Sequence, residues 1–180
     1  MKRIIITGAS GVGKTTLVEA LAPLLSLKII PELGREICHQ MGYQKIGDIP
    51  DQEAFKRAVL DAQVNQEEAL QQFISDRSAI DCWVLWQRWN LCAAMTYDSE
   101  SYYEKAREQS QKYTHILYVQ PVFPIAEDGF RWTEPDYIKQ VDRLVRMTLY
   151  DFDLWKKTLT ICEDGLAARI SKAMDWMTSS

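Results

Sequence analysis

The feature that most constrains the fold is a glycine-rich segment between a short apolar run and an amphipathic helix. Residues 8–15 read Gly-Ala-Ser-Gly-Val-Gly-Lys-Thr, which matches G-x-x-x-x-G-K-[ST] at every fixed position. Residues 3–7 are β-branched without polar alternation, which is typical of a parallel strand buried on both faces. Behind the segment, apolar residues recur at helical spacing: Leu17, Val18, Leu21, Leu24 and Leu25. The chain therefore begins with a strand, a tight loop and a helix.

The rest of the chain repeats this alternation. Further short strands are predicted at 27–30, 72–75, 115–119 and 158–162. Helices are predicted between Pro31 and Met41 and then at 51–70, 79–95, 100–112, 135–157 and 165–177. Strands that alternate with helices indicate an α/β fold of three layers, a parallel sheet of about five strands with helices on both faces. We expect a single domain over residues 1–180, with a mobile lid at 120–134, where prolines and Asp-Gly interrupt all periodicity.

Composition excludes several classes of partner. The 180 residues hold 21 Lys and Arg against 25 Asp and Glu, a net charge of −4, so no broad basic face for nucleic acid is expected. No apolar run approaches the ~20 residues that a membrane helix needs. Four cysteines without CxxC or Cys/His ligand spacing are predicted to be buried, reduced thiols: Cys38, Cys82, Cys92 and Cys162. These features favour a cytoplasmic protein, and nothing in them sets an oligomeric state.

The loop's residue types match the chemistry of phosphate binding. Glycines let successive backbone amides face one concavity, and the helix N-terminus adds partial positive charge. In such a loop the lysine, here Lys14, reaches the β- and γ-phosphates, and the hydroxyl of Thr15 ligates Mg²⁺. A turn without a ligand would need neither residue. The sequence therefore predicts ATP and Mg²⁺ as cofactors, with these nucleotide-binding residues: Gly8, Ala9, Ser10, Gly11, Val12, Gly13, Lys14, Thr15 and Thr16.

A second motif, Asp76-Arg77-Ser78, follows the predicted strand at 72–75. The carboxyl end of a parallel strand is where ligands of open α/β sheets gather, so Asp76 is expected to hold Mg²⁺ opposite the loop. Mechanical ATPases usually place a water-activating glutamate after this aspartate. Arg77 in that position favours binding of an acceptor or of the transferring phosphate. The alternative is that both residues only cap the next helix.

These motifs carry a family resemblance over residues 1–170. The loop, Asp76-Arg77-Ser78 and the later Asp81 resemble the P-loop nucleoside and nucleotide kinase superfamily. The chain looks most like the small AAA-type ATPase/kinase family that includes ribosylnicotinamide-kinase-like domains. It is similar to that family also in Pro31-Glu32 with Arg35 after the second strand, and in Asp128-Gly129-Phe130-Arg131 after the fourth.

The resemblance implies a P-loop NTPase fold and roles for two further residues. Glu32 matches the carboxylate that sits beside the acceptor hydroxyl and takes its proton. Arg131 resembles the lid arginine that closes over the phosphates. From the residues alone, Arg35, Arg77 and Asp81 are candidates for substrate binding, because phosphoryl transfer needs cations and polar groups at one sheet edge. The alternatives for Glu32 and Asp81 are ordinary charges at helix starts, for Arg35 a solvated helix charge paired with Glu32 or Glu36, and for Arg131 a loop charge without a ligand.

Two functions remain open at the level of sequence. The first is an ATP- and Mg²⁺-dependent phosphotransferase whose partners are a nucleoside triphosphate and a small hydroxyl-bearing acceptor, such as a nucleoside or a vitamin-like compound. The second is an ATP hydrolase or nucleotide-gated switch with a protein partner. A GTPase is disfavoured because N-K-x-D is absent, and a transport ATPase because L-S-G-G-Q is absent. Trp83, Trp86 and Trp89 share one helix face, either as core or as a surface on which an acceptor ring stacks.

Overall fold

Five parallel strands form one sheet in a computed structural model that describes residues 1–90, 97–122 and 134–179. The strands are β1 (Arg3–Thr7), β2 (Lys28–Ile30), β3 (Phe73–Asp76), β4 (His115–Val119) and β5 (Thr158–Ile161). Their order is β2-β3-β1-β4-β5, and every neighbouring pair is parallel. The predicted sheet is confirmed. β1 is central, so the carboxyl ends of β3, β1 and β4 lie side by side, where open α/β sheets bind ligands.

Helices cover both faces of this sheet. They are α1 (Lys14–Leu25), α2 (Leu33–Gln40), α3 (Gln52–Glu68), α4 (Ala79–Trp89), α5 (Tyr97–Gln111), α6 (Pro135–Asp151) and α7 (Leu166–Ser179). The chain moves one way across the sheet from β1 to β2 and the opposite way at every later step. Right-handed crossovers therefore place α1 on one face and α2 to α6 on the other. In agreement, α1 packs against α7, whereas α4 packs against α3, α5 and α6.

The core explains why the central strand β1 reads as an apolar run. Ile4, Ile5 and Ile6 are fully buried, because β1 is covered by helices on both faces. A second, smaller apolar cluster joins α2 to α3 through a short 3₁₀ turn at Ile46–Asp48. Its members are Leu33, Ile37, Cys38, Ile49 and Phe55.

Three predicted helix boundaries are wrong. The helix predicted at 135–157 ends at Asp151, because Asp153 adopts a left-handed backbone (φ 53°) that turns the chain. This turn buries Phe152 and Leu154 on either side of it, and a 3₁₀ turn at Trp155–Lys157 then leads into β5. The helix predicted at 79–95 ends at Trp89, and the helix predicted to begin at residue 100 begins at Tyr97.

Other expectations from composition have mixed outcomes. Cys38 and Cys82 are buried and unpaired, as predicted, but Cys162 is exposed after β5, so its predicted burial is wrong. Cys92 lies outside the described residues, and so does most of the predicted lid, including Asp128, Gly129 and Arg131. Among the described helices, none has the length and apolar character that crossing a bilayer requires.

Candidate active site

The glycine-rich loop connects the end of β1 to the first turn of α1 and lies against the end of β4. Gly8, Gly11 and Gly13 all have positive φ angles, of 144°, 76° and 89°. A Cβ atom on Gly8 would stand 2.4 Å from the carbonyl oxygen of Val119. Ala9 and Val12 are buried and anchor the loop. The glycines are therefore required both by the backbone angles and by the close approach to β4.

The side chain of Lys14 folds back over this loop. Its Nζ donates to the carbonyl oxygens of Gly8 at 3.0 Å and Ala9 at 2.6 Å, and the residue is only 5% exposed. Burial, followed by the positive charge of Arg77, lowers the pKa of Lys14 to about 8. Nearby carboxylates oppose this shift. A cation held by two carbonyl oxygens alone is positioned to bind an entering phosphate.

Thr15 and Asp76 form the pair expected of a magnesium site. The Thr15 hydroxyl on the first turn of α1 donates to Oδ2 of Asp76, the last residue of β3, at 2.5 Å. Mg²⁺ in nucleotide sites takes one or two protein oxygens and completes its octahedron with water and phosphate. The pair fits that pattern. No cluster of three or more His, Cys, Asp or Glu side chains that could cage a metal occurs in the described ranges.

Arg77 joins the loop to two carboxylates. Its Nε donates to Oε1 of Glu32 at 2.8 Å, its Nη2 donates to the Ser10 hydroxyl at 3.3 Å, and its Nη1 lies 3.8 Å from Oδ1 of Asp81. The residue has a left-handed backbone (φ 82°), a strained conformation for a non-glycine residue. Burial lowers the pKa of Arg77, but the carboxylates of Glu32, Asp81 and Asp76 more than reverse this and raise it, so the guanidinium stays charged.

Asp81 is buried within this network, whereas an ordinary charge in the first turn of a helix would be exposed to solvent. It is 2% exposed and accepts a 2.9 Å hydrogen bond from the Ser78 hydroxyl. Burial raises the pKa of Asp81, while the charges of Arg77 and Lys14 lower it. The alternative that Asp76 and Arg77 only cap the next helix fails in the same way, because both side chains are engaged with the loop and its neighbours.

A cavity of about 550 Å³ opens beside the loop. Ser10, Glu32, Arg77 and Asp81 line it where it meets the loop. The remaining wall is contributed mainly by α2, α3 and α4, with apolar and polar side chains that include Leu33, Phe55, Val59, Leu85, Trp89, Tyr102, Tyr137, Lys45, Gln52, Lys56, Gln63 and Arg88. A volume of this size accommodates a small organic molecule.

The tryptophan face divides between core and cavity. Trp83 and Trp86 are buried, and Trp86 stacks on Tyr102 with ring centroids 4.1 Å apart. Neither lines the cavity. Trp89, one turn later, is 42% exposed and does line it. Two of the three tryptophans are therefore core residues.

The other predicted site residues are Arg35, Thr16 and Arg131. Arg35 is exposed on α2 and is not among the residues lining the cavity. Thr16 is exposed on α1, next to Thr15. Arg131 lies outside the described ranges. The structure thus brings together six of the predicted residues: Lys14, Thr15, Asp76, Glu32, Arg77 and Asp81.

Sequence reasoning missed Arg169 on α7. The residue is 4% exposed, and its Nη1 donates to the carbonyl oxygen of Val12 in the loop at 2.7 Å. Its Nε donates to the carbonyl oxygen of Glu163, also at 2.7 Å. The available signal was its spacing, because Arg169 falls on the apolar stripe that contains Ala173 and Met177. A charge on a buried helix face calls for a polar partner.

Sequence reasoning also missed a buried polar network behind β3. The Glu67 carboxylate is fully buried and accepts hydrogen bonds from the side chains of Gln63, Gln109 and Tyr113. Burial raises its pKa, and these donors lower it. Gln63 also donates to Ser75 of β3, and Tyr113 accepts from the backbone of Ala79. The network therefore fixes the strand end that carries Asp76.

Comparison with known proteins identifies a family and a shared fold. The model of a family described as AAA domain matches residues 3–159. Comparison with curated protein sequences finds no match. Solved structures of other proteins share the fold of this chain.

Three of these structures illustrate the similarity. A NadR protein in complex with NR has a TM-score of 0.74 at 19% identity over 97% of this chain and 49% of its own, so the chain spans about half of the NadR length. Deoxyadenosine kinase from M. mycoides with bound dCTP has a TM-score of 0.72 at 17% identity over 100% of both chains. Shikimate kinase from Acinetobacter baumannii in complex with shikimate has a TM-score of 0.57 at 18% identity, over 99% of this chain and 94% of its own.

Proposed function

The chain belongs to the AAA domain family, and from that premise we propose that it is an ATP- and Mg²⁺-dependent kinase of a small hydroxyl-bearing acceptor, such as a nucleoside or a vitamin-like compound. One observation carries the proposal. A cavity of small-molecule size shares Ser10 with the phosphate loop and has Glu32 and Arg77 in its lining. A nucleotide hydrolase needs room for water only, whereas a kinase needs this second site beside the first.

The nucleotide half of the site is assigned to residues 8–16. The γ-phosphate takes the place of the Gly8 and Ala9 carbonyls as the partner of Lys14, which restores that buried cation's counter-charge. Thr15 and Asp76 hold Mg²⁺ through oxygen atoms. The ion, when bound, offsets charge on the phosphates.

The acceptor half is assigned to Glu32, Arg77 and Asp81. Glu32 orients the acceptor hydroxyl and takes its proton as the bond to phosphorus forms. Its ion pair with Arg77 holds the carboxylate in place, so most of its effect is positional, which suits a loose transition state. Arg77 holds Glu32 in place and carries positive charge to the boundary between loop and cavity. Arg35 and Arg131 are assigned to substrate binding and to the lid, respectively, from the sequence alone.

The structural neighbours support a kinase in general terms. Their names record phosphotransferases for a deoxynucleoside and for shikimate, and a protein bound to NR, all on this fold. At 17–19% identity they support the fold and leave the acceptor to be found by experiment.

The test is acceptor-dependent release of ADP. The full chain with ATP and Mg²⁺ is incubated with a panel of nucleosides, vitamins and sugars. The proposal predicts that at least one acceptor raises ADP release well above the rate with water alone. Lys14→Ala should abolish that increase, whereas Lys139→Met, at a 77% exposed side chain on α6, should leave it unchanged. ADP release that no acceptor stimulates would favour the hydrolase or switch.

A further inference from the structure

Gln63 on α3 places a buried amide in the lining of the cavity. The residue is 2% exposed and lines the cavity. Its Nε2 donates to Oε1 of Glu67 at 2.8 Å and to the Ser75 hydroxyl at 3.0 Å, so both amide hydrogens are used. Neither Glu67 nor Ser75 lines the cavity. The nitrogen of this amide is therefore turned away from the cavity.

The oxygen of the same amide lacks a donor. Among the N–H and O–H groups of the described ranges, none donates to Oε1 of Gln63, and this atom is accessible rather than fully enclosed. A largely buried amide oxygen is stabilised when a ligand supplies the missing hydrogen bond. The cavity thus offers a neutral hydrogen-bond acceptor to a molecule that enters it.

The carboxylate of Glu67 fixes which end of the amide faces the cavity. The Tyr113 hydroxyl accepts from the backbone N–H of Ala79, so its own hydrogen points to Oε1 of Glu67. That oxygen is therefore an acceptor for both Tyr113 and Gln63. If the amide of Gln63 were turned over, its oxygen would meet this acceptor and both would lose a hydrogen bond. The network behind β3 thus keeps Oε1 of Gln63 on the cavity side.

We propose that Oε1 of Gln63 binds an N–H or O–H group of the phosphoryl acceptor, other than the hydroxyl that is phosphorylated, and that Glu67 is the positioning residue for this contact. The inference rests on the proposed function, since it takes the cavity as the acceptor site. It selects compounds that carry an amino, amide or second hydroxyl group. A site built to bond such a group rejects the analogue that lacks it, because its buried oxygen then stays without a donor.

The experiment uses pairs of compounds in which one member lacks a donor group. The pairs are adenosine against purine riboside, cytidine against pyrimidin-2-one riboside, and 3-(hydroxymethyl)phenol against 3-methylbenzyl alcohol. Dissociation constants are measured by calorimetry on the full chain with Mg²⁺ and ADP, and turnover is measured separately with ATP. We expect the donor compound of at least one pair to bind about tenfold more tightly than its partner, the effect of one buried hydrogen bond.

Three matched variants then assign the preference to one glutamine. Gln63→Met keeps the length of the side chain and should reduce binding of the donor compound about tenfold, with less than about a twofold change for its partner. Gln52 also lines the cavity but is only half-buried, and its Nε2 donates to the carbonyl oxygens of Ile46 and Ile49. Gln52→Met should keep the ratio of the two affinities. Gln40→Met, at an exposed residue of α2, is the control outside the cavity.

Glu67→Gln tests the orientation of the amide. Gln109 cannot turn over, because its Nε2 also donates to Glu68 and its Oε1 accepts from Lys112. The oxygen of the new carboxamide must therefore face Gln109, and its nitrogen must face Gln63, whose own nitrogen then turns to the cavity. We expect the preference for the donor compound to disappear. A merely structural role of Glu67 would weaken both members of a pair by the same factor.

Several results would overturn the inference. They are equal affinities within all three pairs, no binding by any of the six compounds at millimolar concentration, and a preference that survives in Gln63→Met or is removed only by Gln52→Met. A preference that survives in folded Glu67→Gln would overturn the positioning role of Glu67. Gln63→Met and Glu67→Gln each change the ratio of affinities, so either one tests the contact if the other fails to fold.

The two proposals fail in different ways. A preference for the donor compound that Gln63→Met removes supports the contact even where turnover is low. Phosphorylation of compounds without any preference for donor groups would leave the kinase in place and remove the role of Gln63. Absence of phosphoryl transfer to every compound of the larger panel would remove the kinase.

Discussion

Gly8→Ala tests how the loop and the sheet depend on each other. The new Cβ would stand 2.4 Å from the Val119 carbonyl oxygen, whereas ordinary contacts begin near 3.4 Å, so loop or strand must move by about 1 Å. The φ of 144° adds strain of about 1–3 kcal/mol for a residue with a side chain. We therefore expect the free energy of unfolding to fall by about 1–3 kcal/mol. A displacement of about 1 Å in a phosphate cradle should lower kcat/KM for ATP about 100-fold.

Two assays check the two parts of this expectation. Urea denaturation reports the free energy of unfolding, and ADP release with a working acceptor reports kcat/KM. Gly165→Ala is the control, because Gly165 is exposed, has no atom within 4 Å of an added Cβ and lacks a positive φ. The reasoning is refuted if Gly8→Ala stays within about 0.5 kcal/mol and twofold of the parent protein.

Three further changes test other parts of the site. The pKa of Lys14 is about 8 in the ligand-free chain, and bound nucleotide favours the charged amine, so ATP binds with proton uptake. ATP affinity should therefore fall as the pH rises above 8. Calorimetry that finds constant affinity from pH 7.5 to 9.5 would contradict this. Arg169→Met removes the donor to the carbonyl oxygens of Val12 and Glu163 and should raise KM for ATP about tenfold, with partial recovery in Arg169→Lys. An unchanged KM in a folded variant would show that Arg169 does not affect the loop. Glu67→Ala leaves three buried donors without their acceptor and should lower the free energy of unfolding by about 1–3 kcal/mol, and a thermal midpoint equal to that of the parent would refute it.

Local patterns in the sequence were sufficient for the fold and for the position of the glycine-rich loop between β1 and α1. β1 and β4 are mainly apolar because they are buried on both faces, and β3 places its polar residues Ser75 and Asp76 only at its carboxyl end. The motif around Lys14 dictates a loop, a helix start and a hydroxyl in fixed sequence order. The pairing of Thr15 with Asp76 then follows once β1 and β3 are neighbours.

Features that depend on distant parts of the chain were missed. Arg169 reaches a loop that lies 157 positions earlier in sequence, and only packing of α7 on α1 brings them together. The end of α6 depends on burying Phe152 and Leu154 against the core, a tertiary effect that overrides helix propensity.

The fate of the γ-phosphate is the most direct test of the central claim. ATP turnover in ¹⁸O-enriched water, with a working acceptor and Mg²⁺, separates transfer to a hydroxyl from hydrolysis when products are analysed by mass spectrometry. We predict one phosphorylated acceptor for each ADP, with no ¹⁸O in the transferred phosphoryl group, and loss of that product in Lys14→Ala. Inorganic phosphate that carries one ¹⁸O as the main product, at a rate that no acceptor changes, would contradict it.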